Sequence, residues 1–105
     1  MRFQNGGKMK DGYPTEEELE KIRVWDYMDM PTLFEYIESL WTYDDPYFRK
    51  ERLKDGYVYH ISTAGWSGNE DIISALSCNL MVWSLTWQSS RRGGHYEFIV
   101  KDSLE

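Results

Sequence analysis

Leu33, Tyr36, Ile37, Leu40 and Trp41 recur at i, i+3, i+4, i+7 and i+8, the spacing of one helix face, and Phe34 broadens that face. Asp29 precedes this stripe as a cap, and Pro31 falls in the first turn, where its missing N–H costs nothing. Asp44-Asp45-Pro46 is expected to end the helix. A shorter helix comes before it. Thr15 is its N-cap, Glu18 completes a capping box, and Glu16 to Glu18 complement the helix dipole. Its apolar stripe is thin, with Leu19, Ile22 and either Val24 or Trp25.

The second half changes period. Tyr57-Val58-Tyr59-His60-Ile61-Ser62 reads as a strand, and Asp55-Gly56 ahead of it is a hairpin signal. Residues 47–54 then read as a charged edge strand in preference to a short helix after Asp45-Pro46. Gly65 and Gly68 mark a turn. Ser67 as N-cap and Glu70 at N3 predict a second capping box, opening a helix over 68–78 with Ile72, Ile73, Ala75 and Leu76 inward. Asn79 is read as its left-handed stop. Met81, Trp83, Leu85 and Trp87 alternate with Val82, Ser84, Thr86 and Gln88, which predicts a half-buried strand. Ser89 to Gly94 reads as a loop. Tyr96, Phe98 and Val100 then alternate with His95, Glu97 and Ile99 on a last strand.

These elements predict an α+β fold: two N-terminal helices, then a small three- or four-stranded mixed sheet with one inserted helix, in the order β-β-α-β-β. If strands 57–62 and 81–88 are adjacent and parallel, their crossover is right-handed. The inserted helix would cover Trp83 and Trp87, leaving the side of Ser84, Thr86 and Gln88 polar and open. Residues 1–13 read as a flexible glycine-containing arm, 14–103 as one domain, and 104–105 as a tag remnant.

Charge narrows the choice of partner. The chain carries −6 overall, and residues 1–45 hold 11 acidic and 5 basic residues while residues 46–105 hold 7 of each. That field disfavours generic nucleic-acid binding, so any phosphate contact must be local, through Arg49, Lys50 and Arg52 or through Arg91 and Arg92. Cys78 is the single cysteine and cannot form an internal disulfide, which suits a reducing cytoplasm. Neither a secretory signal nor a membrane-spanning run is evident, so no membrane partner is expected.

Gly65-Trp66-Ser67-Gly68-Asn69-Glu70, with Trp83, Trp87 and Ser90-Arg91-Arg92-Gly93-Gly94-His95-Tyr96, resembles small proteins encoded by bacteriophages and prophages. The similarity covers residues 57–100. It implies a phage or prophage origin and the cytoplasm of a bacterial host, and it brings neither an activity nor site residues.

Candidate chemistry is sparse. Gly65-Trp66-Ser67-Gly68-Asn69 approaches the nucleophile elbow G-x-S-x-G but fails at Asn69, so Ser67 reads as a cap and Gly65 and Gly68 as turn residues. The same turn could bind phosphate at a helix N-terminus, but Glu70 and Asp71 place negative charge there. His60, His95 and Glu97 would form a metal or acid–base site only if their strands meet in register; with no H-x-H or H-x-x-x-H spacing, no metal, cofactor or catalytic set is assigned. Cys78 reads as a packed thiol, and Trp66, Trp83 and Trp87 as core. The best binding signal is the loop carrying Arg91, Arg92, His95 and Tyr96, with arginines to grip an anion and a ring beside them. The expectation is a non-enzymatic accessory protein that binds a host or phage protein, with single-stranded nucleic-acid binding second and a small enzyme third. Oligomeric state stays open.

Overall fold

A computed structural model describes residues 13–42 and 47–102. Helices α1 (Glu16–Arg23) and α2 (Met30–Leu40) come first, separated by a short 3-10 turn over Tyr27–Asp29. Strands β1 (Phe48–Arg52) and β2 (Gly56–Ser62) follow, then helices α3 (Ser67–Cys78) and α4 (Leu80–Thr86), then strands β3 (Trp87–Arg91) and β4 (His95–Lys101). The four strands form one sheet in the order β1-β2-β4-β3, antiparallel at every pairing. The α+β class and the β-β-α-β-β order stand. Two helices occupy the insert rather than one, and the sheet is antiparallel rather than mixed, so no parallel crossover exists among the described strands.

Where local chemistry decides, the expected elements form. Thr15 accepts a hydrogen bond from the Glu18 N–H, and the Glu18 side chain accepts one from the Thr15 N–H, closing the capping box of α1. Helix α2 buries Leu33, Phe34, Ile37 and Leu40, the expected stripe. It ends at Leu40, and Asp44-Asp45-Pro46 lies outside the described residues. The same holds for the expected arm, except Tyr13, and for the tag remnant. Strand β1 is the charged edge, with Arg49, Lys50, Glu51 and Arg52 exposed.

The stretch after Asn79 departs from expectation. Residues 80–86 are helical, and Val82 and Thr86 are the buried pair, one turn apart. The alternation of Met81, Trp83, Leu85 and Trp87 is thus not a strand face. Asn79 is no left-handed stop either (φ −89°, ψ 88°). It ends α3 and caps α4, accepting from the Val82 N–H at 3.3 Å. Its amide also donates to the Ile22 and Trp25 carbonyls, both at 3.0 Å. Thr86, expected on an open polar side, is fully buried with its hydroxyl on the Val82 carbonyl. Intrinsic strand preference of Val, Trp and Thr yields here to burial of a different pair of side chains.

The start of α3 differs too. Ser67 is already helical, Trp66 takes the N-cap position without a side-chain bond, and the Ser67–Glu70 capping box does not form. Thr63 makes the turn instead, its Oγ1 accepting from the Gly65 N–H and donating toward Glu70 at 3.5 Å. Gly65 has φ +74° there, a conformation suited to glycine. Gly68 lies against the Trp66 ring, which leaves no room for a Cβ.

Helices cover one sheet face. Phe34 of α2 meets Tyr59 at 5.0 Å and Phe98 at 5.5 Å, and Trp83 of α4 meets Phe98 at 5.4 Å. Trp41 packs edge-on to Phe48, and its indole N–H reaches the Ser62 carbonyl. Helix α3 packs mainly against α1, not over Trp83 and Trp87. Among the described residues, no helix is long and apolar enough to cross a membrane.

Burial raises the Tyr59 hydroxyl pKa to about 12, with Glu38 and Glu35 adding to the effect. The folded state therefore holds this proton more tightly than the unfolded chain, whose tyrosines titrate near ~10. Stability is unaffected below that value and falls as pH rises from about 10 towards 12. In urea unfolding across this range, Tyr59→Phe should flatten the alkaline decline; an identical decline in the variant would assign it to other groups.

Candidate functional site

The uncovered sheet face carries the polar residues that the sequence scatters over four strands. Register sets Arg49 opposite His60, His60 opposite Glu97, and Glu97 opposite Ser89, one row across the whole sheet. The next row holds Ser62, His95 and Arg91. These residues line an open concavity of about 340 Å³. Alternation of side chains places them together, since the intervening Tyr59, Ile61, Phe98 and Val100 are buried on the helix side.

Glu97 is the centre of the row. Its carboxylate lies 3.4 Å from His60 Nδ1, accepts from the Ser89 hydroxyl at 3.3 Å, and stands 3.8 Å from Arg91 Nη2. The other nitrogen of His60, Nε2, faces Glu51 at 3.2 Å. Both imidazole nitrogens are therefore taken up by carboxylates. The Arg91 side chain is 70% exposed, so its contact with Glu97 is a solvent-screened pair that constrains it little. Arg49 stands at the far end of the row with no carboxylate opposite it in the sheet register.

The loop residues separate once placed. Arg91 and His95 face the concavity. Arg92 is exposed in the turn beyond it. Tyr96 also borders the concavity, but its ring stacks on Phe98 at 6.2 Å and meets Trp83 edge-on, on the helix-covered face. Gly93 (φ +87°) and Gly94 (φ +80°) make the turn, and a Cβ on Gly94 would run into Thr63. The Gly94 carbonyl accepts from the Thr63 N–H, pinning this hairpin tip to the turn before α3.

Other candidates fall away from this face. Ser67 bonds the Tyr13 hydroxyl at 2.8 Å, and the Tyr13 ring lies tilted against Trp66 at 4.7 Å. Trp66 is thus apart from the Trp83–Trp87 pair, whose rings lie nearly parallel at 6.4 Å. Cys78 is exposed rather than packed. Among the described residues, no three or more His, Cys, Asp or Glu side chains are grouped to hold a metal ion. Sequence reasoning missed Ser89, because β3 reads as loop. The available signal was the spacing of Ser89 and Arg91 on either side of Ser90, which places both on one strand face.

Compared with known proteins, the chain matches no family model, no curated protein and no solved structure.

Proposed function

We propose that this is a small non-catalytic binding protein that takes up an acidic segment of a partner protein along its open sheet face. The carrying observation is the convergence of Arg49, His60, His95 and Arg91 on one concavity of a chain whose net charge is −6. An acidic side chain reaching this face would replace Glu97 at Arg91 and meet Arg49 at the other end. A role as a phage-type accessory protein in a bacterial cytoplasm belongs to the same proposal and rests on the resemblance in residues 57–100.

Two observations favour a protein segment over the alternatives. Single-stranded nucleic acid would gain from a stacking ring, and Tyr96 spends its ring on Phe98 and Trp83. Acid–base catalysis at His60 would need a ring nitrogen open to a substrate, and both of its nitrogens face glutamates.

The test is an amide NMR titration with a short Asp/Glu-rich peptide and, separately, with a single-stranded oligonucleotide, at low and moderate salt. Peptide-induced shifts should centre on Arg49, His60, Arg91 and His95 and shrink with salt. Arg49→Ala/Arg91→Ala should weaken peptide binding severalfold and by up to about thirtyfold, since each pair is solvent-exposed and contributes up to ~1 kcal/mol. No shift at low salt would remove the proposal. Shifts with the oligonucleotide alone would transfer the face to nucleic acid.

A further inference from the structure

We propose that His60 is a proton-operated switch on the open sheet face, deciding by its charge whether Arg91 is free to take an acidic group. As regulation of the same face, the switch rests on the acidic-segment reading for its ligand, while its moving parts all belong to the free protein. His60 Nδ1 and Arg91 Nη2 approach the same atom, Glu97 Oε2, at 3.4 and 3.8 Å. The other carboxylate oxygen, Oε1, accepts from the Ser89 hydroxyl. Glu97 thus has one oxygen for two claimants.

The proton count of the ring decides between them. An imidazolium donates to Glu51 through Nε2 and to Glu97 through Nδ1 at once, which leaves Arg91 to solvent or to a ligand. A neutral imidazole has a single N–H and must turn a lone pair to one of the two carboxylates. Among the described residues Glu51 has no partner besides His60, whereas Glu97 also has Arg91. The remaining proton therefore stays on the shorter Nε2 contact, 3.2 Å from Glu51, and Glu97 Oε2 passes to Arg91. An acidic segment must then compete with Glu97 for that guanidinium.

Charge acts in the same direction. Glu51 and Arg49 face His60 from β1 and Glu97 faces it from β4, with Arg91 and His95 across the concavity. With His60 neutral, two arginines balance two glutamates. With His60 charged, the face gains a surplus positive charge, so acidic ligands bind more tightly as pH falls through the histidine range. The His60 side chain is 31% exposed and Glu51 63%, so solvent screening keeps the effect modest.

Two measurements test the switch. In the free protein, the Arg91 side-chain Nε–H signal in NMR should move with pH together with the His60 ring signals, and His60→Gln should abolish that movement. Peptide affinity is best measured in His95→Gln, which removes the second ring. There the Asp/Glu-rich peptide should bind roughly three- to fivefold more tightly at about pH 5.5 than at about pH 8, a span over which histidine changes charge. Adding His60→Gln should leave one affinity at both pH values. An Arg91 signal that ignores His60 overturns the switch, as does equal affinity at the two pH values in His95→Gln. A peptide that binds at neither pH, with Arg91 still following His60, removes the acidic-segment reading and leaves the switch standing.

Discussion

Phe98→Ala is expected to destabilise the protein by about 3–5 kcal/mol, a large part of the ~5–15 kcal/mol typical of a domain. Phe98 is fully buried on the inner strand β4. Its ring lies 5.5 Å from Phe34, 5.4 Å from Trp83 and 6.2 Å from Tyr96. It thus joins the sheet to both α2 and α4, and alanine would leave a cavity that rings on three sides cannot collapse into without leaving their rotamers. Urea unfolding should show a lower midpoint with an unchanged slope. A loss below about 1 kcal/mol would mean that this aromatic cluster is not the centre of the core.

Asn79→Ala should cost about 2–4 kcal/mol, from one lost helix cap and two lost amide hydrogen bonds, one to the Ile22 carbonyl, which keeps the Trp25 N–H as a donor, and one to the partly buried Trp25 carbonyl. The diagnostic variant is Asn79→Asp. An aspartate still caps α4 by accepting from the Val82 N–H, but it has no amide to give the Ile22 and Trp25 carbonyls and sets a negative charge against them. Asp should therefore fail to restore stability at neutral pH. If Asp matched the native protein in chemical denaturation, capping alone would explain the residue and the tie to α1 would carry no weight.

What the sequence revealed divides along physical lines. The Thr15–Glu18 capping box, the α2 stripe and the charged edge β1 each depend on residues within a few positions of one another, and each forms as read. Residues 80–86 misled because a short period-two pattern and a two-turn helix both repeat at i and i+4. Burial of Val82 and Thr86, a tertiary event, decided between them. Ser67 misled because a hydroxyl before a helix is a good cap, but Thr63 had taken over the turn one step earlier. Asn69, which spoils the elbow pattern, is fully buried, bonding the Thr42 N–H and the Thr42 and Thr63 carbonyls.

The candidate site was legible in pieces. Arg91 and His95 were marked by the glycine-flexed loop, and His60 and Glu97 by strand alternation. Only strand register unites them, and register is a long-range property that one chain read linearly does not carry. Tyr96 shows the converse. Composition made it part of the loop signal, while alternation with His95 and Glu97 turned its ring to the other face.

Strand order has a further consequence during synthesis. Strand β4 follows the other three in the chain but lies between β2 and β3. As the polypeptide leaves the ribosome, the β1–β2 hairpin can close early, yet β2 and β3 have nothing to join them until residues 95–101 emerge. Until then the inner edge of β2 and the ring of Phe34 lack their eventual cover, so the nascent chain presents an open strand edge beside apolar surface. Premature termination before β4 would leave a hairpin and separate helices rather than a smaller version of the fold, and such fragments are suited to proteolysis or aggregation.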